Sequence, residues 1–306
     1  MASGPDLSIE LLGQRLQNPV IEAAGTFGEE YSELIDFRKL GALVPKTISL
    51  EPHCGSPPPR LVETPAGLLN FVGGDNPGVK KFIEEHLPRW RRYGIPIIVG
   101  LRGHRGPDEY VRIASCFKRG MGVMALELNF KFMSDCSSIS DTVSRCTQAT
   151  DLPIIAKLRP AGVIMTEMAL AAESGGAAAI SLVNTIPAMV IDVERQVPEL
   201  PLGAGLSGPA IRPIALKMVW DVYEAVKVPV IGMGGVADWR SALEYILAGA
   251  SAVAVGTAMF SNPYAAIETI DGIRDYMVRH GVMRVTDLVG LAHRNLRAQS
   301  ALKGGA

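Results

Sequence analysis

The sequence predicts an α/β fold, a single closed (β/α)8 TIM barrel over residues 1–306, and three observations carry that prediction. Short apolar runs alternate with helical stretches along the whole chain. The runs are near-continuous rather than alternating, as parallel strands buried on both faces require. The length, 306 residues with 48% hydrophobic, suits one such barrel and the large core it encloses.

Taken in order, the candidate strands are 20–24, 42–46, 96–101, 123–128, 153–158, 178–183, 229–233 and 252–255. Helical patterns fall at 79–93, 108–119, 165–174, 211–226, 239–248 and 264–280. A weak internal repeat supports the alternation. Gly94-Ile-Pro-Ile-Ile-Val, Asp151-Leu-Pro-Ile-Ile-Ala and Lys227-Val-Pro-Val-Ile-Gly enter three strands in the same way. The segment 51–63, with Pro52, Pro57, Pro58 and Pro59, has no helical period and reads as an excursion or hairpin above the barrel.

Composition excludes several function classes. A formal net charge of −1 without a basic stripe argues against nucleic-acid binding. No stretch reaches the roughly 18 apolar residues of a membrane span, and residues 1–18 lack the apolar region of a signal peptide. Cys54, Cys116, Cys136 and Cys146 show no CxxC spacing, so no metal site is expected and the thiols read as free. A cytoplasmic location is the resulting expectation.

In such barrels chemistry sits where strands end at their C-terminal rim. Those ends read Ala23-Ala24-Gly25-Thr26, Lys46-Thr47, Asn129, Lys157, Asn184-Thr185, Gly232-Met233-Gly234-Gly235 and Gly256-Thr257. A glycine turn after a strand is by itself only a turn. The pair Gly234-Gly235 and Gly256-Thr257, after the last two strands, is where barrels cradle a phosphate with backbone N–H groups. Gly234→Asp is therefore expected to set a carboxylate against that phosphate. Lys46 and Lys157 end apolar strands, and a buried ammonium has to be paired or functional. Asn129 and Asn184 suit either caps or partners for a flat polar ring.

Several of these stretches together resemble the class 1B dihydroorotate dehydrogenases. They are Asn18-Pro-Val-Ile-Glu-Ala-Ala-Gly-Thr-Phe-Gly, Pro59-Arg-Leu-Val-Glu-Thr-Pro-Ala-Gly-Leu-Leu-Asn70, Asn76-Pro-Gly, Leu206-Ser-Gly-Pro-Ala-Ile and Ile231-Gly-Met-Gly-Gly. The resemblance implies an FMN oxidoreductase acting on a CH–CH bond, in pyrimidine biosynthesis, with hydride passing from substrate to flavin N5. It implies FMN contacts at Ala24, Gly25, Lys46, Thr47, Asn129, Lys157, Gly208, Gly234, Gly235, Gly256 and Thr257. Substrate contacts would fall on Asn70, Gly73, Gly74, Asn129, Asn184 and Thr185. A homodimer and an iron–sulfur/FAD electron-transfer subunit are implied as partners.

The departures concern the base. Where the family reads Asn-x-Ser-Cys-Pro-Asn, with Cys as catalytic base, this chain reads Asn129-Phe-Lys-Phe-Met-Ser134. Phe132 stands in the place of the base and Ser134 in that of a substrate asparagine, and the following lid is shorter by about ten residues. Gly100 and Gly74-Asp75 depart as well. Phenylalanine accepts no proton, so dihydroorotate oxidation is expected to slow by about 10²–10⁴ unless Ser134, Cys136 or Lys131 serves instead. Phe130, Phe132 and Met133 are expected to line the mouth with apolar surface. Three further readings stay open, a paralogue with another substrate, a catalytically degenerate FMN-binding subunit, and a barrel without flavin whose phosphate site takes another phosphorylated ligand.

Overall fold

The protein is described from a computed structural model over residues 4–304; residues 1–3 and 305–306, the outer limits of the one-domain reading, lie outside the described residues. Seven strands form one parallel sheet: β1 (Val20–Glu22), β2 (Ile98–Leu101), β3 (Ala125–Phe130), β4 (Ile154–Leu158), β5 (Ala179–Leu182), β6 (Val230–Met233) and β7 (Ala250–Val255). Their order is β1-β7-β6-β5-β4-β3-β2, so β2 to β7 lie side by side in chain order and β1 pairs with β7 at one end, leaving β1 and β2 apart.

The sheet closes through 42–48. Ala42 bridges Ile21, Leu43 bridges Ile97 and Ile48 bridges Leu101, all in parallel sense. The expected second strand is therefore a run of isolated bridges, and Pro45 explains why. It has no N–H to give the ladder, so pairing breaks on either side of it.

The expected helices form, most within two residues of their expected ends; the exceptions are the second, which runs Pro107–Ala114, and the first, which is divided into Gly78–Lys81, Phe82–His86 and Leu87–Arg91. The next are Met165–Ser174, Arg212–Ala225, Trp239–Leu247 and Ala265–His280. A helix not expected from the sequence, Cys136–Ala149, completes the ring, and consecutive helices pack side by side around the sheet. Asp135 caps it by accepting the Ser138 N–H at 2.8 Å, and Ile139, Thr142, Val143 and Cys146 give it a buried face at helical spacing. Among the described residues, no helix is long and apolar enough to cross a membrane.

The proline-rich segment leads into a hairpin, Leu61–Thr64 with Gly67–Asn70, whose sheet is extended by Gly205–Ser207 and Ile186–Pro187. It packs on a small apolar cluster of its own around Leu69, Leu200 and Ala204. The hairpin thus stands as one wall above the rim.

One buried acid gives the barrel a pH signature. Glu22 in β1 is fully buried; one carboxyl oxygen accepts the Val44 N–H at 3.2 Å and the other has no partner. Burial pushes its pKa well above the ordinary range. An acid with a raised folded-state pKa stabilises the fold fully below its unfolded pKa, and that contribution fades as pH rises through the folded value. Glu22→Gln should therefore raise stability more at about pH 8 than at about pH 4, measured by urea unfolding at each pH. An equal effect at both would show that the carboxylate is stabilised where it lies.

Candidate active site

All seven strands point their C-terminal ends to one rim, and a cavity of 480 Å³ opens there. Its lining includes Ala24, Lys157, Asn184, Thr185, Gly208, Gly234, Gly235, Gly256 and Thr257. These sequence-predicted positions, drawn from five separate strand ends and the Gly208 turn, are brought together. Gly25, Lys46, Thr47, Asn70, Gly73, Gly74, Asn129, Lys131 and Cys136 are not in that lining.

Several of those connect to it directly. Asn184 Nδ2 donates to Asn129 Oδ1 at 2.7 Å, and the Thr185 N–H donates to Asn184 Oδ1 at 2.8 Å. Asn70 Nδ2 donates to the Gly205 carbonyl at 3.1 Å, and Gly205 lies flush against the Thr185 side chain. Thr185 Oγ1 is buried without a partner. The three asparagines are thus tied into one polar strip, with an orphaned hydroxyl beside it. Asn129 is fixed from behind as well, because Tyr110 donates to its carbonyl at 2.6 Å. Lys46 runs past Gly25, where a Cβ would stand 2.7 Å from its Cδ, and Thr47 fills the space that a side chain at Gly100 would take.

The glycine turns show the shape of a phosphate cradle. Gly208, Gly234 and Gly235 have φ of 97°, 118° and 71°, a region L side chains avoid. A Cβ at Gly235 would stand 2.6 Å from the Gly208 carbonyl, so the two turns touch through bare backbone. Among the described residues, the N–H groups of Gly235 and Thr257 find no protein acceptor. Tyr245 donates to the Gly234 carbonyl at 2.6 Å and holds that oxygen toward the helix. Gly234 carries a further constraint. A Cβ there would stand 3.0 Å from Ala215 Cβ at a φ that L side chains avoid, so Gly234→Asp would also meet backbone strain and crowding.

Lys157 is buried in β4 and its Nζ lies 3.3 Å from Glu127 Oε2, while Ser181 donates to Glu127 Oε1 at 2.8 Å. Sequence reading finds the lysine and misses its partners, although Glu127 stands two residues before Asn129 and so on the same face of β3.

The altered segment differs from expectation in two respects. Phe130 is fully buried against Tyr110, ring centroids 5.6 Å apart, and Met133 packs on the core, so only Phe132, 71% exposed, offers apolar surface. Cys136 opens its helix half-buried, with its side chain partly packed on the same core. Lys131 stands outside the cavity lining, beside the exposed Phe132 ring. Burial, with Arg102 and Lys46 nearby, holds its pKa below the ordinary lysine value, and burial depresses Lys46 likewise. Arg102 also goes unnoticed in the sequence, because the list of strand ends passes over the third strand, where it is the rim residue.

A barrel with a glycine phosphate cradle, a buried lysine and an asparagine strip on one rim defines a class, the phosphate-anchored cofactor barrels. The chain belongs to the dihydroorotate dehydrogenase family, whose sequence model, described as "Dihydroorotate dehydrogenase", matches residues 6–277. It is 46% identical over 300 residues to "Dihydroorotate dehydrogenase B (NAD(+)), catalytic subunit" of Desulforudis audaxviator, covering 94% of this chain and 97% of that one. The protein of the same name from Trichlorobacter lovleyi is 44% identical, covering 94% and 98%, and that from Thermoanaerobacter pseudethanolicus 43%, covering 93% and 98%. Members of this family bind FMN, and the free N–H groups, bare glycine turns and buried lysine fit a flavin phosphate and ring.

The Lys157–Glu127 pair makes a test of the site's construction. Lys157→Met leaves a buried, unpaired carboxylate and should destabilise the fold by about 3–5 kcal/mol. Adding Glu127→Gln should recover most of that loss in denaturant titration. A double variant as unstable as the single one would show that the two side chains do not depend on each other.

Proposed function

We propose that this chain oxidises dihydroorotate on FMN held in the barrel mouth and passes the electrons to a partner subunit. The observation that carries the reading is the joined strip Asn70–Thr185–Asn184–Asn129 lying beside Lys157 and the glycine cradle. Bound FMN would supply the hydride acceptor for C6 of dihydroorotate, with a base on this chain removing the C5 proton to leave the C5=C6 bond of orotate.

The chain's residues divide the remaining work. Backbone N–H groups at Gly235 and Thr257 hold the phosphate, with Gly208, Gly234 and Gly256 keeping the approach clear. Ala24, Gly25 and Thr47 edge the ring site, and Lys157 supplies positive charge to it from within the barrel. The amide groups of Asn70, Asn129 and Asn184, with Thr185 and the backbone of Gly73 and Gly74, orient the cyclic amide. Lys46 lends a second cation at the ring edge.

Lys131 takes the proton. Phe132 has no basic atom and Cys136 is half-buried against the core, whereas the depressed pKa of Lys131 enlarges its neutral fraction. We read residues 1–306 as one domain acting in the cytoplasm. The words "catalytic subunit" and "NAD(+)" in the relatives' names support an electron-transfer partner; its iron–sulfur/FAD character and a homodimeric state rest on the family resemblance.

Anaerobic rapid mixing with dihydroorotate tests the assignment. Flavin bleaching should quicken with pH up to an inflection below the free lysine value of about 10.4, because the neutral amine is the active form. Lys131→Met should slow it by about 10²–10⁴ and remove the inflection. A wild-type rate in Lys131→Met contradicts Lys131, and collapse in Cys136→Ala instead would return the role to the thiol. Flavin that dihydroorotate does not reduce at any pH would favour the degenerate FMN-binding subunit.

A further inference from the structure

The outer edge of the mouth carries cations that the reaction described above does not fully use. Arg102 follows β2, and its guanidinium carbon lies 5.1 Å from the centroid of the exposed Phe132 ring. Lys131 Nζ lies 5.7 Å from the same centroid. The ring thereby lies close to two positive groups that follow neighbouring strands.

None of this charge is neutralised. Among the described residues, no carboxylate pairs with Arg102, Lys131 or Lys46, and Arg102 Nε is buried with no hydrogen-bond partner. The acids whose fields reach them are engaged elsewhere. Asp75 pairs with Arg60 at 2.9 Å, and Glu109 accepts the N–H groups of His104 and Arg105 at 2.6 and 2.8 Å.

The space is fitted to the guanidinium. Gly74 has φ of 78°, and a Cβ there would overlap Arg102 Nη1, so any side chain at 74 would displace the arginine. Gly74 and Arg102 therefore form one feature: bare backbone on one side and an unpaired planar cation on the other. A planar fork with free donors, beside an exposed aromatic plane, matches a flat ring bearing a carboxylate.

We propose that Arg102, flanked by Lys131 and the Gly73–Gly74 backbone, is the anchor for the carboxylate of a planar acid, and that it makes this site select anionic over neutral rings. The proposal deepens the dihydroorotate reading and rests on it for the identity of the acid. Where the altered segment gives up an amide at Ser134, Arg102 supplies a charged contact from the neighbouring strand end.

The test is titration of the flavin-bound protein, read by flavin absorbance, with two pairs of rings: orotate against uracil, and benzoate against benzamide. In Arg102→Met, orotate binding should weaken roughly 10- to 100-fold, while uracil binding changes by less than about 2-fold. Arg102→Lys should restore only part of the loss, because an ammonium lacks the fork. Arg102→Gln serves the same purpose should the methionine variant not retain flavin. Orotate binding that is equal in wild type and both neutral variants overturns the anchor and leaves the dihydroorotate reading intact. Binding of benzoate that depends on Arg102, in a protein that ignores orotate, supports the anchor and removes dihydroorotate as the substrate. A wild type that binds neither acid overturns the anchor.

Discussion

The structure turns on one buried ammonium. Lys157 lies inside the barrel wall, where an isolated charge is strongly unfavourable, and it is held there by Glu127 from one neighbouring strand and, through Glu127, by Ser181 from the other. Parallel register sets Lys157 opposite Asn129 on one side and Ser181 on the other. Inward-facing positions of three successive strands thus form a polar layer in an otherwise apolar core. That layer fixes where a flat, polar ring meets the barrel, and the glycine turns of the last strands fix where its phosphate ends.

The opposite side of the mouth has been rebuilt. The chain passes from β3 through 131–135 into a capped helix, so the strand end and the helix lie close together and little chain is left to cover the site. Phe132 occupies the rim without proton chemistry, and the cations beside it are Lys131 and Arg102. The two depend on each other. A fixed guanidinium near Lys131 favours its neutral form, and the bare backbone at Gly74 leaves room for that guanidinium.

Much of this was legible in the sequence for physical reasons. Strands buried on both faces leave continuous apolar runs, and a glycine pair after a strand marks a turn, so β1 to β7 and the Gly234-Gly235 turn are visible without coordinates, while Gly208 enters only through the family resemblance. Two failures have clear causes. Pro45 interrupts the second strand without altering its apolar run, so pattern alone overstates the pairing. The helix Cys136–Ala149 has a polar composition, and its Asp135 cap and the 139, 142, 143, 146 spacing were overshadowed by the reading of this stretch as a trimmed lid. Glu127 was missed because its role is a pairing across strands, which strand ends read singly do not reveal, and Arg102 because the reading of strand ends passes over the third strand, which it follows.

The central claim is that the rim holds FMN between the glycine cradle and Lys157. The most direct measurement is the absorbance spectrum of the purified protein together with the mass of what it releases on denaturation. A flavin spectrum and release of FMN are predicted. A colourless protein that takes up no added FMN, or one that releases FAD, would contradict the account.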